Sequence, residues 1–250
     1  MNNDFATSGL AHVWTQGDWV TRSVALVLLA MSLATWVIIL WKVLDQRAQR
    51  AQARAVEGFW HSADFAEGLD KLGDPEANPF RALATEGREA ARHITHKDGQ
   101  ARPQLHDSLD VSDWIERSLR KSVDDFTARG QSGLSVLASV ASTAPFVGLF
   151  GTVWGIYHAL LGIGAAGQVS IDQVAGPIGE ALIMTALGLL VAIPAVLGYN
   201  ALVRGNKAIL HQLNRFAHDL HAYFVTGARV AVGADGKVLP MKREIGRAHV

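Results

Sequence analysis

From Val24 to Trp41 the chain reads VALVLLAMSLATWVIILW, an unbroken apolar run without a charged residue. It just reaches the roughly 20 apolar residues that a membrane-spanning helix needs. A second uncharged stretch covers 130–171, and a third covers 173–203 with a single ionisable residue inside it, Glu180. The pattern predicts an all-α integral membrane protein with three transmembrane helices, at 23–42, 131–163 and 174–203. The two later spans, each about 30 residues, are about 45 Å long as helix, against a hydrocarbon core of about 30 Å. Both are therefore expected to extend into a cytoplasmic helical stalk, where their apolar surface needs partner helices from this chain or from copies of it.

Helical periodicity continues between and after the spans. Residues 43–72 read as a continuation of the first span, broken by Asp74, Pro75 and Pro79, and a further helix is expected over 80–94. HKDGQARP at 96–103 is a polar, turn-forming linker. Trp114, Leu119, Val123 and Phe126 recur at near-helical spacing, which predicts an amphipathic helix over 110–129 feeding the second span. Ile209, Leu213, Phe216, Leu220 and Phe224 form a similar stripe and should pack against that stalk. A solvated stalk is the plainer reading of these helices than a dedicated binding site. The chain past Gly227 reads as a frayed tail.

Charge sets the orientation. Of the 23 Lys and Arg residues, one precedes the first span, fourteen lie in 42–129, none in 162–173 and eight from Arg204 onward. The positive-inside rule then places 1–22 in the periplasm, 43–130 in the cytoplasm, 164–173 in a periplasmic hairpin and 204–250 in the cytoplasm. A cleaved signal peptide would carry its positive charge first and a small-residue cleavage site afterwards, so the first apolar segment is expected to stay.

Composition removes several classes. With 23 acidic residues against 23 basic ones, no global field draws nucleic acid. No cysteine is present, which excludes disulfides, thiolate metal sites and a Cys nucleophile. His211, His218 and His221 share a helix face without the further ligands that a metal would need. No GxxxxGK[ST] motif occurs, so nucleotide hydrolysis is not an evident power source. Neither an enzyme nor a cofactor or metal protein is expected.

The candidate chemistry lies in the spans. A carboxylate at membrane depth is costly when ionised and is rarely placed there without a use, which singles out Glu180. Counted 20 residues outward from Arg204, Glu180 stands near the outer boundary, where an interfacial carboxylate is the plainer reading; counted from an outer turn near Gly164 to Gly167, it lies about 20 Å down its helix, and Thr152 of the second span falls at a similar level. A hydroxyl beside a membrane carboxylate is a natural relay partner. Thr185 is five residues on from Glu180, about 140° around the helix, so the two serve different directions. For either threonine the plainer alternative is a bond to the carbonyl four residues back.

Small residues line one stripe of the second span at Ala144, Gly148, Gly151, Gly155, Ala159 and Gly162, and Ala181, Thr185, Gly188 and Ala192 do so on the third. Such stripes let backbones approach closely in lipid, so helix packing is their expected role. Pro145 and Pro194 free the carbonyls of Ala141 and Leu190, marking kinks or wet spots. His158 reads as an interfacial residue near the outer end of the second span.

The run APFVGLFGTVWGI at 144–156, then Gly179-Glu180-Ala181-Leu182, Thr185-Ala186-Leu187-Gly188-Leu189 and Ala192-Ile193-Pro194-Ala195, resembles the MotA/TolQ/ExbB proton-channel family. The match covers about 70 residues, 138–207, with several motifs in register. The run GPIGEALIMTALGL is most similar to the ExbB branch, with the TolQ branch as the alternative. The resemblance implies a homo-oligomer, a pentamer, in the bacterial inner membrane around the helices of an ExbD-like dimer whose aspartate is the main proton carrier. It places Glu180, Thr152 and Thr185 near the proton path. Proton flow would then drive a TonB-like protein that works outer-membrane receptors for iron-siderophores and vitamin B12. Two other classes compete: a secondary transporter, disfavoured by three spans with no internal repeat, and a passive membrane scaffold in which Glu180 only pins a helix pair.

Overall fold

The computed structural model describes residues 18–74, 78–95, 111–166, 171–227, 231–232 and 238–239. The elements are α1 (Trp19–Trp60), α2 (Phe65–Lys71), α3 (Pro79–Thr95), α4 (Val111–Gln131), α5 (Leu134–Ala166) and α6 (Ile171–Thr226). Helices α1, α5 and α6 are long and apolar enough to cross a membrane. The polar linker expected at 96–103 lies outside the described residues.

The chain divides into two compact units, one formed by 1–43 with 133–203 and the other by 44–132 with 204–250. In the first, the starts of α1 and α6 and the middle of α5 share a core of Val20, Val24 and Leu28 with Val140, Ala144, Met184, Val191, Ala192 and Ala195. A second cluster joins Leu134, Leu137 and Leu202 to Ile38, Ile39 and Val43. Large apolar side chains remain exposed on the other faces, among them Leu33, Val37, Phe146, Phe150, Leu190 and Leu197. A water-soluble unit would bury such surface; lipid or further helices would cover it here.

The second unit is an aromatic-centred helical core. Ile115, Leu119, Val123 and Phe126 of α4 pack with Ile209, Leu213, Phe216 and Leu220 of α6, so both amphipathic stripes meet in one cluster. Phe216 sits in the middle, with ring centroids 5.4 Å from Phe59, 5.8 Å from Trp60 and 5.8 Å from Phe80. Edge-on contacts of this kind add to the area they bury.

Several expected boundaries differ. The helix read through 43–72 stops at Trp60, because Asp64 accepts the Glu67 amide and starts α2 afresh while Glu67 reaches back to the Ala63 amide. This reciprocal cap satisfies two amides that a helix start leaves free. Helix α4 does not run into α5: Gly133, with φ of 78°, breaks the chain in a left-handed conformation that a residue with a side chain adopts at a cost. Helix α5 continues to Ala166 and α6 begins at Ile171, and the residues between them, in the hairpin expected at 164–173, lie outside the described residues. Helix α6 then runs unbroken for 56 residues, carrying both the third span and the stripe expected at 209–224. In the tail read as frayed, Ala231–Val232 and Val238–Leu239 form a two-residue antiparallel pair.

Candidate functional site

In the first unit α5 and α6 approach backbone to backbone. A Cβ added to Gly148 would lie 2.6 Å from the Met184 carbonyl oxygen and 3.0 Å from the Gly188 Cα. One added to Gly188 would lie 2.7 Å from the Ala144 carbonyl oxygen. Any side chain at either position would force the helices apart. A Cβ added to Gly155 would lie 2.9 Å from the Ala181 Cβ, and one added to Gly151 would lie 3.1 Å from both Met184 and the Val24 side chain of α1. Gly162, of the same stripe, meets nothing within 4 Å.

That crossing brings two hydroxyls together. Thr152 is 7 % exposed, and its Oγ1 lies against Thr185 Oγ1, 3.0 Å from the Ala181 carbonyl oxygen and 3.2 Å from its own helix's Gly148 carbonyl oxygen. One hydroxyl proton cannot serve three acceptors. Two arrangements are open: Thr185 donates to Thr152, which donates to the Ala181 or the Gly148 carbonyl, or Thr152 donates to Thr185 and serves neither carbonyl. Rotating the two hydroxyls interconverts them without moving a heavy atom or creating a charge. The back-bond to Gly148 is present beside the inter-helix contacts, so the local and the relay geometries coexist at this residue.

Glu180 stands in α6 immediately before Ala181, whose carbonyl joins the threonine pair; its side chain lies outside the described residues. At the far end of α5, the His158 Nε2 is 3.5 Å from the Asp18 carboxylate, and its ring lies 4.5 Å from Trp154. In the second unit His221 contacts Ser112 at 3.0 Å. No group of side chains suited to a metal occurs among the described residues.

Sequence reasoning missed a second polar cluster. The Gln46 amide donates to Asn206 Oδ1 at 2.7 Å, and Asn206 donates onward to the Gly130 carbonyl oxygen at 2.8 Å, in the last turn of α4. Gly205 beside it leaves room for the Gln46 side chain, which a Cβ there would overlap. The signal available was a Gly-Asn pair inside an otherwise apolar and basic helix.

The MotA/TolQ/ExbB proton channel family model matches residues 86–215, and the chain is a member of that family. It is 42 % identical over 233 residues to the biopolymer transport protein ExbB of Xanthomonas campestris pv. campestris strain B100, covering 89 % of this chain and 90 % of that one. The ExbB of Neisseria meningitidis serogroup A is 40 % identical over 210 residues, with 84 % and 94 % covered. The Tol-Pal system protein TolQ of Pseudomonas aeruginosa is 31 % identical over 207 residues, with 81 % and 87 % covered.

Proposed function

We propose that this chain is the ExbB-type subunit of an inner-membrane complex that uses the proton-motive force to energise outer-membrane transport. The observation that carries the reading is the Thr152–Thr185 hydroxyl pair, tied to the carbonyl of Ala181, the residue after Glu180, where α5 and α6 meet backbone to backbone. Two rotatable hydroxyls can pass a proton, Glu180 is the titratable residue of the same span, and Glu180, Thr152 and Thr185 are assigned to the proton path. Each elementary charge that crosses 100 mV releases about 2.3 kcal/mol, so several protons per stroke supply mechanical work.

The exposed apolar faces of α1, α5 and α6 support a ring of copies in lipid, read as a pentamer around an ExbD-like dimer that acts on a TonB-like protein. Residues 1–22 lie in the periplasm, and 43–130 and 204–250 in the cytoplasm, on the strength of the Lys and Arg distribution. The cargo is iron-siderophores and vitamin B12.

The second reading is a TolQ-type subunit of the Tol-Pal envelope system, favoured by the TolQ relatives that align over about four-fifths of the chain. Complementation separates the two. Expressed with its partner subunit in cells lacking both native systems, the chain is expected to restore energised siderophore uptake and not detergent resistance. The reverse result would assign it to the envelope system.

A further inference from the structure

Thr35 of α1 is 1 % exposed, and its hydroxyl makes no hydrogen bond. A helical threonine ordinarily turns Oγ1 onto a carbonyl of the preceding turn, as Thr143 does to Ser139 and Thr127 to Val123. Thr35 does not. Interiors pair nearly all of their buried hydroxyls, and where the protein supplies no partner an ordered water usually does.

The packing of the first unit fixes what lies at the same level. The Ile39 side chain abuts Gly198 of α6. Nearer the helix starts, Val24 and Leu28 share a cluster with Met184 and Val191. Numbers rise together along the pair, so α1 and α6 run parallel. One turn back from the Ile39–Gly198 contact stand Thr35 on one helix and Pro194 on the other. Proline has no N–H, so the Leu190 carbonyl four residues earlier loses its helical donor. One level of the helix pair thus holds a buried hydroxyl with no hydrogen bond and a carbonyl that lacks the donor four residues on.

We propose that a water molecule is bound there, donating to the Leu190 carbonyl and hydrogen-bonded to the Thr35 hydroxyl. Neither group alone would hold it; together they supply two partners inside an apolar unit. The site is nine residues, or about 13 Å, along α6 from Thr185, and stands apart from the threonine pair. It lets α6 bend at Pro194 without stranding a carbonyl in a membrane. The inference rests on packing and hydrogen bonding alone and does not depend on the proton-channel reading.

Water-edited solid-state NMR on the full chain in lipid bilayers tests it. Thr35 and the Leu190 carbonyl are expected to receive magnetisation from water several-fold faster than the flanking Leu28 and Ile38. T35V should abolish the fast transfer to the Leu190 carbonyl, and T35S should retain it. Transfer to Thr35 no faster than to its neighbours would overturn the proposal. So would a Leu190 carbonyl that stays equally water-coupled in T35V.

Discussion

Gly148 and Gly188 meet backbone to backbone, each occupying the space in which the other's side chain would stand. The contact holds Thr152 against Thr185, so the chemistry of the hydroxyl pair depends on two missing Cβ atoms one turn away. Gly148→Ala or Gly188→Ala should each destabilise the protein by about 1–3 kcal/mol, the usual cost of overpacking. Gly162→Ala, with open space around it, should stay within about 0.5 kcal/mol in the isolated chain. Thermal unfolding in detergent distinguishes the three. Equal losses at all three positions would remove the crossing as the explanation.

Thr152→Val keeps the shape and deletes the hydroxyl. Inter-helix hydrogen bonds in membranes average about 0.6 kcal/mol and reach about 1.7, so only a small fall in stability is expected. Thr152→Ser should recover it. Under the proposed function the valine variant loses proton-driven activity well beyond that small effect, which uptake measured at matched membrane levels will reveal.

The Gln46–Asn206–Gly130 chain predicts a local effect. Asn206→Ala leaves the Gly130 carbonyl and the Gln46 amide without this partner, at a cost of about 1–3 kcal/mol for a buried polar group. Gly205→Ala should act similarly by displacing Gln46. Amide exchange in the last turn of α4 should quicken in both variants, with α2 and α3 unchanged.

Glu67 supplies a pH dependence. The hydrogen bond from Lys71 chiefly, with the Ala63 amide and the Lys71 charge, holds its carboxyl below the ordinary 4.5. A depressed folded value stabilises the ionised form, so the contribution is complete above pH 4.5 and is lost as pH falls through the lower folded value. Exchange protection in α2 should therefore drop on acidification below that range. Glu67→Gln should flatten the response.

The spans were legible because hydrophobic length is a one-dimensional signal, and the two amphipathic stripes because Phe126 and Phe216 recur at helical spacing with their neighbours. The stop at Trp60 was legible in principle: Asp64 three residues before Glu67 is a capping signature, but the Ala- and Arg-rich run around it favours helix equally. The break at Gly133 was hidden, since the apolar stretch continues across it and one glycine does not announce a left-handed turn. The meeting of Thr152 with Thr185 needs the register between two helices, which periodicity within each cannot supply. The same holds for Thr35 opposite Pro194 and for Gln46 beside Gly205. Glu180 was conspicuous for a simpler reason, as the one charge in a 31-residue apolar run.

Under the proposed function, the titratable carboxyl of Glu180 carries proton-driven work. The direct measurement is energised siderophore uptake in cells lacking their own copies, with the chain expressed beside its partner subunit as wild type, Glu180→Gln or Glu180→Ala at equal membrane abundance. Collapse of uptake in both variants, with assembly intact, is the predicted result. Wild-type uptake by Glu180→Gln would contradict it and make Glu180 a structural residue.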